Sequence, residues 1–252
     1  MNRRNFFKKA TLASAGVVLI PEILNAAIPD SKDISEVSVN IEKKGAVILF
    51  QGDSITDAER KRGDENIPNK QSMLGNGYVM FASAQLLADN GGKNLQIYNR
   101  GISGNKVYQL RERWENDCLA LKPDVLSILI GVNDYWHKKN NKYEGDLAKY
   151  DADYRDLIAY TKKQLPVVEI IICEPFIIAG GTALDKTWES EFSKYRNVAK
   201  QIANDYNTKF VPFQKVFNEA LKKAPAAYWG ADGVHPSMAG AQLMAQAWLK
   251  SI

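Results

Sequence analysis

Residues 46–56, AVILFQGDSIT, constrain the fold more than any other stretch. Residues 46–50 are unbroken apolar sequence, and Gly52-Asp53-Ser54 closes the run. A short run of this kind, without polar alternation, suits a strand buried on both faces. Such strands belong to parallel sheets covered by helices on each side. The run also leaves a hydroxyl, Ser54, at the carboxyl end of a predicted central strand. Open α/β sheets bind ligands at that edge. Taken alone, Gly-Asp-Ser has the plainer reading of a turn entering a loop.

Four more segments follow the same pattern, giving predicted strands at 46–51, 95–99, 125–130, 167–173 and 209–211. Between and after them, apolar residues recur at helical spacing over 78–90, 106–121, 147–165, 187–206, 213–222 and 237–249. Strands alternating with helices predict an α/β fold: a doubly wound, flavodoxin-like three-layer sandwich around a five-stranded parallel sheet. The aromatic stripes, such as Trp188, Phe192 and Tyr195, read as core. Residues 57–77 are charged and lack periodicity, and a loop of that length in a compact domain is usually functional or mobile. No repeat or second-domain boundary interrupts residues 45–252.

The first residues read differently. Residues 1–9 are basic, 10–20 are apolar, and Asn25-Ala26-Ala27 supplies small residues, the layout of an export signal over 1–27. The apolar part is too short to span a bilayer, for which about 20 residues are needed. Arg3-Arg4 before Phe6-Phe7-Lys8 looks like a twin-arginine signal, with an ordinary secretory signal or an uncleaved anchor as the alternatives. The expectation is an exported protein, periplasmic or extracellular, with residues 28–44 as a linker. The chain has 33 basic and 29 acidic residues, and removing 1–27 would leave 29 and 28. No basic field remains to attract nucleic acid. The two cysteines, Cys118 and Cys173, sit in apolar contexts and read as buried thiols rather than a bridge.

Chemistry is expected at the strand ends. Ser54, the Gly-rich stretch 101–104, and Asn133-Asp134 each follow a predicted strand, and Asp232-Gly233-Val234-His235-Pro236 comes later. The chain has only two histidines, His137 and His235. A serine hydrolase needs a base beside the hydroxyl, a carboxylate to orient the imidazole, and donors for an oxyanion. His235, Asp232, Asn133 and the Gly104 amide can fill these parts. Asp53, Tyr135, Trp136, Glu174 and Trp229 are the candidates for substrate contact. Tyr135-Trp136 and Tyr228-Trp229 flank the motifs and would offer flat faces to a sugar. Glu174, after the fourth strand, is expected to pair with Arg60 or Arg100.

The blocks GDSIT (52–56), NRGISG (99–104), GVND (131–134) and DGVHP (232–236) resemble, in order, the four blocks of the GDSL/SGNH hydrolase superfamily. They differ from its name only by Ile55 in place of Leu. The resemblance implies Ser54 as nucleophile with its own amide in the oxyanion hole, Gly104 and Asn133 as further donors, His235 as base and Asp232 as its partner. It also implies a reaction without cofactor or metal. The surrounding text is closest to exported bacterial members, several of which remove acetyl groups from polysaccharides. The expected substrate is therefore a small ester or an acetylated carbohydrate.

Other chemistries fit less well. G-x-S-x-G, Walker A and G-x-G-x-x-G are all missing. Two histidines cannot make a three-histidine zinc site, and no thiolate cluster is present. The remaining rivals are a lipase, thioesterase or acyltransferase with the same residues, and a carbohydrate-binding protein that keeps only the fold.

Overall fold

The computed structural model describes residues 19–28 and 41–252. Five strands form one parallel sheet: β1 Val47–Gly52, β2 Gln96–Asn99, β3 Val125–Leu129, β4 Glu169–Cys173 and β5 Lys209–Val211. Their order is β2-β1-β3-β4-β5. The chain winds outward in one direction from β1 to β2 and in the other from β3 to β5. The crevice between β1 and β3 is therefore the topological switch point, where ligands enter such sheets. Phe50 of β1 stands in register with Asn99 on one side and Ser127 on the other.

Among the described residues, twelve α-helices precede, connect and follow the strands: α1 Leu19–Ala27, α2 Ser54–Asp57, α3 Gln71–Leu74, α4 Tyr78–Asp89, α5 Val107–Glu112, α6 Trp114–Asp117, α7 Val132–Lys139, α8 Leu147–Gln164, α9 Trp188–Asp205, α10 Phe213–Leu221, α11 Ala226–Trp229 and α12 Met238–Lys250. One layer packs α1, α4, α10 and α12 together, and the other packs α5, α7, α8 and α9. Large rings fill the space beneath each layer, and the ring N–H groups of two buried tryptophans find partners there. Trp248 donates to Ser127 Oγ at 3.0 Å, and Trp114 donates to Thr161 Oγ1 at 3.0 Å. Both cysteines are free and buried. Among the described residues, no helix is long and apolar enough to cross a membrane.

The expected helix over 106–121 is broken into α5, α6 and a 3₁₀ turn, Leu119–Leu121. Its apolar positions Val107, Leu110, Trp114 and Cys118 are still buried. The break lies at Arg113, whose guanidinium and Nε reach Arg100 O, Asn105 Oδ1 and Gln51 Oε1 at 2.8–2.9 Å. Helical periodicity reported which residues face the core, not whether the helix runs on.

Part of the expected export signal is ordered. In α1, Ile23, Leu24 and Ala27 are buried against α10 and α12. Glu22 pairs with Lys223 at 2.7 Å, and Lys250 donates to Asn25 at 2.7 Å. Arg3-Arg4 and most of the expected linker lie outside the described residues.

Candidate active site

Ser54 is placed by the tight exit from β1. A Cβ on Gly52 would lie 2.4 Å from Leu129 O and 2.3 Å from Thr56 Oγ1, so only glycine lets β1 and β3 close here. Asp53 then turns inward and accepts from Ile55 N at 3.0 Å, capping the short α2 that begins at Ser54. Asp53 is 1 % exposed, and burial pushes its carboxyl up to about 7. It caps a helix and does not face a substrate, which corrects the expectation from sequence.

His235 stands on a turn organised by Asp232. The amides of Val234 and His235 both donate to Asp232 Oδ1 at 2.8 Å. Asp232 Oδ2 lies 2.7 Å from His235 Nδ1, and His235 Nε2 lies 2.8 Å from Ser54 Oγ. Burial acts to raise the Asp232 carboxyl, but the hydrogen bonds from His235 and Val234 outweigh it and hold the group below the ordinary value. An ionised carboxylate only accepts, so Nδ1 carries the proton and Nε2 of the neutral ring is left to accept from Ser54. The segment after β4 braces this turn: Ile178 N donates to Gly233 O at 2.7 Å and Ala183 N to Asp232 O at 3.0 Å.

Gly104 and Asn133 come from the ends of β2 and β3. Gly104 has φ of +82°, which an L side chain rarely adopts. The amides of Ser54 and Gly104 have no hydrogen-bond acceptor among the described residues. Asn133 lies in the first turn of α7, and its Nδ2 donates to Asn105 O at 3.2 Å. Asn133-Asp134 thus opens a helix that hydrophobic periodicity does not reveal, because its outer face is His137, Lys138 and Lys139. Asp134 is 1 % exposed and pushed up to about 7 by burial, with the charge of Asp53 adding to the effect.

Several expected contacts are not made. Glu174 does not pair with Arg60 or Arg100. It accepts from Gln214 N at 3.0 Å at the start of α10, and burial raises it to about 6. Arg60 Nε instead donates to Gly101 O at 2.9 Å, and Arg100 reaches Asn66 and Asp117. Tyr135 packs among Trp188, Phe192 and Tyr195. Trp229 is 1 % exposed and donates to Ala220 O at 3.0 Å. Both are core residues rather than a sugar platform. Trp136 alone of the three remains half-buried, its ring centre 6.5 Å from that of His235.

Sequence reasoning overlooked Asp57 and the role of Asn99. Asp57 Oδ2 accepts from Ser103 N at 2.9 Å and from Arg62 at 2.7 Å. Asn99 donates to Thr56 O at 2.6 Å and Leu74 O at 2.9 Å, and accepts from Gly101 N at 2.9 Å. The polar residues of 57–77 therefore grip the loop that carries Gly104.

Residues 50–243 match the model of the GDSL-like Lipase/Acylhydrolase family. The chain belongs to this family. It is accordingly a carboxylic ester hydrolase, and the five-stranded parallel sheet is the SGNH hydrolase fold. The acetylxylan esterase of Geobacillus stearothermophilus is 39 % identical over 213 residues, covering 82 % of this chain and 94 % of that protein. Its crystal structure superposes with a TM-score of 0.74 over 83 % of this chain and 94 % of that one. A Parabacteroides merdae protein described as a GDSL-like lipase superposes with a TM-score of 0.81 at 53 % identity, covering 83 % of this chain and 96 % of that one. Catalytic mutants of the Geobacillus enzyme replace a serine, an aspartate or a histidine by alanine, the last two spaced as Asp232 and His235 are.

Proposed function

We propose that the protein is an acetyl esterase acting on acetylated carbohydrate, with Ser54, His235 and Asp232 as its catalytic triad. The observation that carries this reading is the unbroken hydrogen-bonded chain from Ser54 Oγ through both ring nitrogens of His235 to Asp232. The mutants of the Geobacillus acetylxylan esterase support the roles, and that enzyme's name supports the substrate class.

Ser54 Oγ attacks the acetyl carbonyl as His235 Nε2 takes its proton. The carbonyl oxygen becomes an oxyanion, held by the amides of Ser54 and Gly104 and by Asn133 Nδ2. Asp232, already ionised, steadies the imidazolium. The carbon–oxygen bond to the sugar then breaks, and the imidazolium returns the proton to the departing sugar oxygen. Water attacks the acetyl-enzyme with His235 again as base. Acetate leaves, and Ser54 regains its proton.

Ser54→Ala lowers kcat for acetate release from acetylated xylo-oligosaccharide by about 10⁴- to 10⁶-fold, the scale for loss of a triad nucleophile. A folded Ser54→Ala protein with near-normal activity overturns the assignment. A series of p-nitrophenyl esters from acetate to decanoate separates the readings: acetate is preferred if the protein is an acetylesterase, long chains if it is a lipase.

We further propose that the protein is exported through the twin-arginine route. The basic, apolar and small-residue layout of residues 1–27 supports this.

A further inference from the structure

We propose that the sugar being deacetylated docks in the cleft on the His235 side of Ser54, where Glu59 and Asn76 read its free hydroxyl groups. This rests on the acetylesterase reading above and adds where, and by which residues, the carbohydrate is recognised.

The placement follows from the stereochemistry of acyl transfer. The tetrahedral carbon on Ser54 Oγ carries three other substituents. Its oxyanion points to Gly104 and Asn133. Its leaving oxygen must come within hydrogen-bond reach of His235 Nε2, which protonates it. The sugar is attached to that oxygen, so it occupies the space beside His235. A cleft of about 430 Å³ is lined by Ser54, His235 and Pro236, by Glu59 and Asn76, and by Ser103 next to Gly104. Neither Gly104 nor Asn133 lines it. Trp136 flanks His235 outside this cleft, and Ile55, Ala58 and Tyr78 give the cleft apolar walls against which Glu59 and Asn76 stand as polar groups.

Glu59 is aimed by unusual backbone. Ala58 ends α2 with φ of +42°, and Glu59 follows with φ of +59°. Two successive non-glycine residues in the left-handed region are strained, and strain of this kind concentrates at functional sites. The turn is tied to Ser54 itself: Ala58 N donates to Ser54 O at 2.9 Å, and Asn76 N donates to Ala58 O at 2.7 Å. It brings the Glu59 carboxylate within 3.5 Å of Asn76 Nδ2, with both residues exposed. A carboxylate beside an amide accepts from and donates to vicinal hydroxyls, the pattern a neutral sugar ring presents.

The same pair forms a wall of a second cleft of about 530 Å³, which continues past Lys61, Gln71 and Met80. A single acetylated sugar fills the first cleft. The next residue of an oligosaccharide passes over Glu59 and Asn76 into the second.

The test measures kcat/KM of the wild type, Glu59→Gln, Asn76→Ala and Lys61→Ala. The substrates are p-nitrophenyl acetate, mono-O-acetylated methyl β-xylopyranoside and acetylated xylotriose. For Glu59→Gln and Asn76→Ala, activity on both sugars is expected to fall at least tenfold further than on the aryl ester, chiefly through KM. For Lys61→Ala, the trisaccharide is expected to lose several-fold more than the monosaccharide. If the wild type deacetylates both sugars but Glu59→Gln and Asn76→Ala leave the sugar-to-aryl ratio within twofold, the subsite is wrong while the acetylesterase reading stands. If the wild type cleaves only the aryl ester, the carbohydrate reading falls and the subsite falls with it.

Discussion

Asp134 shows how much a single buried group contributes at this site. Its Oδ1 accepts from Val107 N at 3.3 Å, while Oδ2 is buried without a hydrogen-bond partner among the described residues. Protonation relieves that arrangement, in keeping with a carboxyl pushed up to about 7 from the 3.8 of a free aspartate. The folded protein thus holds a proton that the unfolded chain releases as pH rises from 3.8 to about 7, so this group's contribution to stability falls across that window. The slope reaches about 1.4 kcal/mol per pH unit at most. Asp134→Asn removes it, so the Tm of Asp134→Asn minus that of the wild type is expected to climb between pH 4 and pH 7. A flat difference in a calorimetric pH series contradicts this. The neighbouring Asn133 is expected, under the proposed mechanism, to act on rate. With one amide hydrogen on Asn105 O, its other is available to the oxyanion. Asn133→Ala is expected to lower kcat for an aryl acetate about 10²- to 10³-fold with little change in KM, since the donor matters once charge develops. A change in KM alone would mark Asn133 as a ground-state contact. At this scale the sequence identified Ser54, Gly104 and Asn133 because each follows a strand, and Asp232 and His235 from their own motif after α11. It did not reveal which way they point. Trp136 and Trp229 sit in equivalent contexts, yet Trp229 turns inward to donate to Ala220 O and Trp136 stays at the rim. That choice is made by tertiary packing, not by local pattern.

Loop 57–77 and the Gly-rich loop after β2 function as one element. Arg60, 6 % exposed, donates to Gly101 O, and Asp57 accepts from Ser103 N, so two polar side chains flank the peptides leading to Gly104. Burial, with the nearby Arg62 charge, lowers the Arg60 guanidinium to about 10. The cost of holding it there is offset by fixing the loop. Arg60→Met is expected to lower kcat by about tenfold, a fraction of the loss for deleting an oxyanion donor, with KM held within a fewfold. Steady-state kinetics on p-nitrophenyl acetate check this; an unchanged kcat would show that the loop holds its shape without Arg60. The sequence left this loop as charged and patternless because its order comes from side-chain-to-backbone bonds across β2, which leave no periodic trace. The strands were legible for the opposite reason. The central strands β1, β3 and β4 are buried along almost their whole length, so burial alone writes the apolar run. Helix α7 was hidden because its first turn carries the site and its last turn is His137-Lys138-Lys139. Only Gly131 and Asp134 marked its start.

At the scale of the whole molecule, Ser54 and His235 meet near the β1/β3 switch point, and α1, within the proposed export signal, meets the C-terminal end of α12 through Asn25 and Lys250. Helix α1 lies within the sequence read as an export signal, yet Ile23 and Leu24 are buried on the folded domain and Glu22 pairs with Lys223. If residues 1–27 are the export signal proposed above, packing of its end on α10 and α12 fits a route that carries folded protein. The general secretory route threads unfolded chain and would meet α1 before its docking surface existed. Changing Arg3 and Arg4 together to Lys is therefore expected to block export and leave the precursor in the cytoplasm, folded and hydrolysing p-nitrophenyl acetate at close to the wild-type rate. The lysines keep the charge and remove only the guanidinium pair, and α1 is untouched. Cell fractionation with an esterase assay on each fraction reads the outcome. Active enzyme outside the cytoplasm at normal levels would reject the twin-arginine route. Trapped but inactive precursor would show instead that the domain does not mature before transport.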